Sequence, residues 1–476
     1  MTPCKVTERT GPPPCTLAPH ADTRSRAAVS LKRELGPFDA SMVVIGGIIG
    51  AGIFINPYIV AQRLDTPGLV LFAWVLGGAI ALAGALAFAE LGSLIPKAGG
   101  QYVYLREAFH PLAGFLYGWA QLFMIVGGGL AAVAITFAEY ALRVVGRSGG
   151  STTLAILAIA VVSVVNYVGV KPGSRLLNVF VVLKVIALVA LIGAGALLPA
   201  GAPAATTSPV TTTGAFLPLA IGAALIPVMF SYGGWQNANY VAEEIHEPRR
   251  NLPIALIAGT TVVVLVYVAV NAVYLRALGH DGLAATTTPA ADAAARAFGP
   301  VGDRLIALAI AISTFGFLDL SVLAPTRVYF AMARDGIFFD AVAKLHPKFG
   351  TPALAIVLQA TWAAALALTG TYGQLIDTVV FADWIFFGGT VAALFVFRRR
   401  IPLASRPAGT FTAPLYPVLP ALFVAAAVLV VGSVLWSSPL RSLAGAGLLA
   451  AGVPAYLFWS RRIRPGPAVV QEEPPP

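Results

Sequence analysis

Long apolar runs recur along the whole chain, separated by short polar stretches. They fall, within a few residues, at 38–62, 67–95, 111–142, 153–170, 176–199, 216–240, 253–275, 302–332, 353–370, 374–397, 414–435 and 441–460. A helix needs about 20 apolar residues to cross a hydrocarbon core. The pattern therefore predicts an all-α membrane protein of about twelve transmembrane helices. The connecting loops are too short to fold as soluble domains. The most polar outer stretch, 201–213, is rich in Thr, Pro and Ala and reads as a flexible loop.

Glycine cuts two of these runs. Gly46, Gly47, Gly50 and Gly52 interrupt the first, and Phe230-Ser231-Tyr232-Gly233-Gly234-Trp235 interrupts the sixth. Each glycine weakens a helix by about 1 kcal/mol relative to alanine. The unwound stretch bares peptide groups that hydrocarbon does not solvate. Matched interruptions in corresponding halves of a chain point to the binding site of a secondary transporter. For either span alone, the competing explanation is close helix packing through small residues.

Charge sets the orientation. With the N-terminus inside, about 23 Lys and Arg fall on the inner side and about 7 on the outer, as the positive-inside rule expects. Both termini are thus expected in the cytoplasm and the chain in the cytoplasmic membrane. The net charge of +10 lies in loops beside membrane lipid, so no nucleic-acid partner is expected. A charged fraction of 11% and a mean hydropathy of +0.82 exclude a soluble domain, which carries about 25% charged residues. The first 37 residues lack the apolar core of a signal peptide. Cys4 and Cys15 both fall in that tail, which supports reduced thiols and no disulfide framework. The expected organisation is a disordered tail (1–37), a five-helix repeat (38–199), a second repeat of opposite topology (216–397), two further helices (398–463) and a disordered tail (464–476).

The interruptions also define candidate chemistry. Bare N–H groups at Gly50, Ala51 and Gly52, with Ile53 completing the turn, begin a half-helix whose dipole favours a carboxylate. The preceding half-helix ends near Ile48, whose free carbonyl is expected to face the same cavity. Carbonyls around Phe230, Ser231, Tyr232 and Gly233 add acceptors for an ammonium group. Donors opposite acceptors suit a zwitterion, and the commonest small zwitterion is an α-amino acid. Phe230 abuts the second break and reads either as a gate over that ligand or as a packing aromatic.

Lys184 lies within a uniformly apolar run, where an intramembrane charge is a functional candidate by default. It is either a coupling group or a structural lysine bonding carbonyls of the broken first helix. Three readings stay open for Asp319: a pair with Lys184, a water path, or a protonated acid. Glu90 and Asp39 read as ties between helix ends, and Glu243 and Glu244 as an inner latch. The latter two are adjacent and project from different sides of a helix, which argues against paired-carboxylate catalysis. The chain has no Walker-type loop, no H-E-x-x-H and no Cys/His cluster. No metal, cofactor or enzymatic activity is expected. A channel would need a continuous polar pore lining, and none is visible.

These residues resemble the amino acid–polyamine–organocation (APC) superfamily. The likeness runs through 46–57, Ala89-Glu90-Leu91-Gly92, Pro96, Gly99-Gly100-Gln101-Tyr102, the stretch Trp235-Gln236-Asn237-Ala238-Asn239-Tyr240-Val241-Ala242-Glu243-Glu244-Ile245, then Ala331-Met332-Ala333-Arg334-Asp335-Gly336 and Tyr416-Pro417-Val418. The second break and Lys184 make the chain more similar to the L-type amino acid transporters and their bacterial relatives. The resemblance implies a LeuT-like five-plus-five fold and alternating access. It implies substrate contacts at Ile48, Ala51, Gly52, Phe230, Ser231 and Gly233, with Phe230 as gate. Lys184 stands where sodium-coupled relatives bind a cation, which argues against sodium coupling. Ala51 replaces a serine of many relatives, and Asp319 an expected Asn or small residue. Neutral L-amino acids moved by exchange or uniport are the favoured cargo; proton symport with Lys184 or Asp319 as the coupling group, or a cationic substrate balanced by Asp319, is the alternative. Animal L-type carriers join a glycoprotein through an extracellular cysteine. This chain has none, so no covalent partner subunit is expected.

Overall fold

Proline marks where many of the helices begin. Pro37, Pro67, Pro111, Pro248 and Pro289 each occupy a first turn, where an N–H would go unused. The computed structural model describes residues 31–147, 149–197, 217–369, 372–437 and 439–461, and within them one isolated β-bridge accompanies the helices. Cys4, Cys15, the 201–213 loop and most of both tails lie outside the described residues.

The first half contains α1 (Pro37–Ile48), α2 (Gly52–Arg63), α3 (Pro67–Leu94), α4 (Gln101–Ala108) and α5 (Pro111–Ala120). A π-turn at Gln121–Ile125 joins α5 to α6 (Val126–Val144), and α7 (Ser151–Val168) and α8 (Val170–Ala196) follow. The second half contains α9 (Leu217–Tyr232), α10 (Asn237–Tyr240), α11 (Pro248–Ala285), α12 (Pro289–Phe298), α13 (Gly302–Leu323), α14 (Thr326–Arg334), α15 (Ala353–Thr369) and α16 (Tyr372–Arg400). Last come α17 (Val418–Ser437) and α18 (Pro439–Ser460). Among the described residues nine helical stretches are long and apolar enough to cross a membrane. The count is ten if α1 and α2, bent by 41° across their break, form one span. Two shorter apolar helices, Leu217–Tyr232 and Ala353–Leu368, lie between them. The protein is an all-helical, multi-pass membrane protein.

Three features depart from the expected pattern. The apolar run 302–332 is two helices: α13 ends at Leu323, and α14 starts after Pro325, which cannot continue a hydrogen-bonded helix. Next, α11 runs on past 275 to Ala285 through a kink at Gly279, whose φ of 73° suits glycine. Finally, residues 31–36, expected in the disordered tail, are held in place. Glu34 and Leu35 N–H donate to the Glu244 carbonyl at 2.9 Å, and His246 N–H donates to Leu35 O at 2.9 Å. Backbone pairing with the segment after α10 overrides the polar composition of that stretch.

Two apolar cores hold the bundle. The larger one includes α1, α2, α3, α9 and α11; the second joins α6, α7, α13 and α15. At one end lies a polar layer. Arg327 of α14 donates to Glu244 at 2.7 and 3.2 Å, with both side chains buried. Arg334 donates to Glu243, which also accepts the N–H groups of Leu31 and Ala98. Asp335 accepts Tyr102 Oη–H at 2.6 Å and pairs with Arg106. Breaking one partner of a buried pair such as Arg327–Glu244 costs about 3–5 kcal/mol, so this layer ties α4, α14, residues 31–36 and the segment after α10 together. Glu90 is likewise a tie: it accepts Arg398, Arg406 and Ala413 N–H at 2.6–2.8 Å. Asp39 accepts Gly36 N–H and Asn178.

Candidate functional site

The two breaks meet backbone to backbone. A Cβ on Gly234 would collide with the Gly47 carbonyl, and a Cβ on Gly52 would sit 2.7 Å from Ser231 Oγ. Close packing through small residues also operates, at Gly46, where a Cβ would meet Val181 of α8 at 2.8 Å. By contrast, a Cβ on Gly50 would reach only the Phe317 ring, at 3.5 Å. The glycines of the first break therefore serve different ends. Gly46 admits α8, Gly47 and Gly52 admit the second break, and Gly50 lies on its open side.

Protein groups take up the first break's carbonyls. Lys184 Nζ donates to Ile49 O at 2.7 Å and Gly46 O at 3.2 Å, capping the C-terminal end of α1, where a cation is favoured. The carbonyl of Ile48, expected to be free, accepts Tyr267 Oη–H at 3.0 Å and Gly50 N–H at 2.9 Å. Gly50 N–H, expected to be bare, is thereby occupied. A tight turn after Ile48 folds the chain back on itself, and sequence alone did not locate that turn. The N–H groups of Ala51, Gly52 and Ile53 have no backbone acceptor among the described residues.

The second break has the opposite polarity. Gly233 N–H donates to Met229 O at 3.1 Å, and Gly234 N–H to Gln236 Oε1 at 3.0 Å. The carbonyls of Phe230, Ser231, Tyr232 and Gly233 accept no hydrogen bond among the described residues. Side chains here mostly lock helices together. Asn56 of α2 donates to Pro227 O at 3.0 Å and to Ser231 Oγ at 2.8 Å, joining α2 to α9. Pro227 has no N–H for the Ala223 carbonyl, which instead accepts Arg63. Tyr232 turns its hydroxyl to Trp74 O at 3.1 Å, and Trp235 stacks on Phe387 at 5.1 Å. Phe230 is only half-buried.

Asp319 faces elsewhere. Its Oδ1 accepts Asn166 of α7 at 2.6 Å, its Oδ2 is unpartnered, and no ion pair joins it to Lys184. The α13 residues that do approach the first break are Phe317 and Ser313, whose Oγ donates to Gly50 O at 3.4 Å. Sequence reasoning missed Tyr267, Asn56 and Ser313, because a single polar residue in an apolar helix carries no local sign of its partner. No group of three or more His, Cys, Asp or Glu able to hold a metal occurs among the described residues.

Comparison with known families decides the class: the amino acid permease profile matches residues 35–449. The chain belongs to the amino acid permease family. This permease is 32% identical over 462 residues to the mouse large neutral amino acids transporter small subunit 2, covering 94% of its own length and 86% of the relative's. It is also 32% identical to the serine/threonine exchanger SteT of Bacillus subtilis, covering 91% of its own length and 98% of SteT. A third relative, the mouse Asc-type amino acid transporter 1, is 32% identical with coverage of 90% and 82%. The permease is thus an amino acid transporter of the APC group and not an enzyme.

Proposed function

We propose that this permease carries neutral L-amino acids across the cytoplasmic membrane by alternating access, through exchange or uniport. One observation carries the reading: unoccupied N–H groups at Ala51, Gly52 and Ile53 belong to a break packed against another whose Phe230–Gly233 carbonyls are unoccupied. A carboxylate docks on the first set and an ammonium on the second. Ile48 and Gly50 shape the turn rather than contact substrate, Ser231 holds α2 to α9, and Phe230 closes over the ligand. The names of the relatives support neutral cargo and exchange.

In this reading the ten long spans and two shorter apolar helices make twelve crossings. They form two inverted five-helix repeats, 38–199 and 216–397, with the last two helices (398–463) outside them and both termini cytoplasmic. Substrate binding across the breaks biases the two access states, and the layer around Arg327 and Glu244 closes the inner side. Cys4 and Cys15 are the only cysteines, so no covalent partner subunit is expected. Purified protein in liposomes loaded with a neutral amino acid tests this. Saturable uptake of labelled amino acid, stimulated by the internal pool, is expected; an ohmic current without counterflow would overturn it.

A further inference from the structure

Among the described residues, the charged side chains inside the bundle differ in how far the protein partners them. Glu90 holds two arginines, Glu244 holds Arg327, Lys184 caps two carbonyls, and Asp319 accepts Asn166 through Oδ1 while its Oδ2 is unpartnered. Asp383 of α16 accepts no hydrogen bond and forms no ion pair among the described residues. It does not face lipid. Ile385, the exposed residue of this stretch, lies about 200° further round the helix, and Ala382 and Trp384 are buried. Asp383 as a residue is nevertheless only half-buried, on a face of α16 turned away from that of Ile385.

Neighbouring rings fix its level in the bundle. One turn along α16, Phe386 packs edge-on against Tyr117 at 5.2 Å and Phe387 stacks on Trp235, which ends the second break. Asp383 thus lies one turn beyond this layer, on the side of the breaks. Of the titratable groups at this layer, Tyr117 packs against Phe386 one turn from Asp383, and the Tyr240 hydroxyl meets that of Tyr117. Of the other titratable groups on the helices packed against α16, Glu90 pairs with Arg398 and Arg406, Tyr104 with Asn239, Tyr102 and Arg106 with Asp335, Glu107 with Arg106, and Arg143 with Asp303; Glu139 is exposed, Tyr140 is half-buried, and Tyr456 packs on Phe115.

A hydrogen-bonded ladder begins at this layer. Gln121 Nε2 donates to Tyr240 Oη at 2.7 Å, and the Tyr117 and Tyr240 hydroxyls meet. Both reach Gln101 Oε1, at 2.9 and 3.1 Å, and Gln101 Nε2 donates to Thr390 Oγ1 at 3.1 Å. Thr390 lies about 10 Å beyond Asp383 along α16, toward Arg398–Arg400. The ladder therefore runs from the level of the breaks toward the end that the positive-inside rule makes cytoplasmic.

A lone carboxylate in an apolar interior must be neutralised, and here no protein group does it. We infer that Asp383 is the proton-binding site of this carrier and couples net amino acid movement to H+. The inference rests on the carrier reading and makes its net-movement arm proton symport in place of uniport. The carboxylate forms an O–H bond with a proton delivered by water on one side. It returns that proton to water on the other, so one positive charge crosses with each zwitterion.

The test uses purified permease in liposomes containing the pH dye pyranine, with the membrane potential held at zero by valinomycin and equal potassium. L-serine is the probe. With the outside one pH unit more acid, one proton per serine supports accumulation of about tenfold, and adding serine acidifies the lumen. Asp383→Asn is expected to bring the ratio of accumulation with and without the gradient to one. Because that ratio is taken within one protein, a slower overall rate does not enter it. Asp383→Glu is expected to keep the response at a shifted pH midpoint, and it decides the matter should the amide variant not fold. Wild-type protein that counterflows serine yet neither accumulates it nor moves the lumen pH would overturn the inference, as would a full response in Asp383→Asn or none in Asp383→Glu. Absence of counterflow in wild-type protein would strike the carrier reading instead.

Discussion

The two breaks look alike in sequence and differ in which of their peptide groups the protein consumes. At the first, side chains from three other helices, Lys184, Tyr267 and Ser313, take the carbonyls of Gly46, Ile48, Ile49 and Gly50, and the N–H groups of Ala51–Ile53 remain. At the second, Met229 O and Gln236 take the N–H groups, and four carbonyls remain. Unpaired peptide groups in an apolar interior cost several kcal/mol each. Leaving one sign open at each break gives the site a fixed polarity, a donor end and an acceptor end. Glycine content alone does not distinguish the ends; the capping residues do.

The largest effect is expected where the two breaks touch. Gly234 has a φ of 123° and its α-carbon faces the Gly47 carbonyl. Alanine there combines backbone strain of about 1–3 kcal/mol with a collision between two main chains. Gly234→Ala should reduce counterflow more than thirtyfold and lower the melting temperature in detergent by several degrees. Gly50→Ala is the matched control. Its new methyl meets only the Phe317 ring at ordinary contact distance, and counterflow should stay within threefold. Equal damage from both would mean that the breaks do not depend on main-chain contact.

Removing the donor-end cap comes next. Lys184→Ala leaves the Gly46 and Ile49 carbonyls unpaired, at about 1–3 kcal/mol each, and removes a cation from the end of α1. Turnover should fall about tenfold at unchanged expression, measured as initial counterflow rate per mole of protein. A normal rate at several pH values would make this lysine dispensable to the cycle.

How much of this was legible beforehand follows the range of the interaction involved. Both breaks, the buried lysine and the paired carboxylates after α10 announce themselves through local composition. The partner of Lys184 was one of two stated alternatives, since a lysine deep in an apolar run beside a broken helix has few acceptors to choose from. Tyr267 and Ser313 were invisible, because their roles depend on which face of α11 and α13 meets α1. Asp383 carries a charge within the run 374–397, but the sequence gives no sign of which groups surround it. The turn after Pro325 had a signal that the apolar run masked.

A smaller effect is expected from adding a donor to the donor end. Ala51 is the N-cap of α2, a position where serine is favoured. Ala51→Ser adds a hydroxyl beside the open N–H groups, and one hydrogen bond contributes about 1 kcal/mol. The KM for counterflow should fall about fivefold with little change in maximal rate. A raised KM would mean that the hydroxyl oxygen takes N–H groups that the carboxylate needs.

The smallest effect discriminates by its sign. Tyr267 donates to Ile48 O and packs against Trp74 and Tyr232 at 5.8 and 5.1 Å. Tyr267→Phe keeps the ring and deletes one hydrogen bond, worth about 0.5–1.5 kcal/mol. The Ile48 carbonyl still accepts Gly50 N–H, so the turn should persist. If Ile48 belongs to the protein's own scaffolding, the variant loosens the donor end and KM rises about threefold. If the Ile48 carbonyl is instead a ligand for the substrate ammonium, as the sequence alone suggested, losing its competitor frees it and KM falls. Substrate-concentration curves for this one variant therefore assign the carbonyl to the fold or to the ligand.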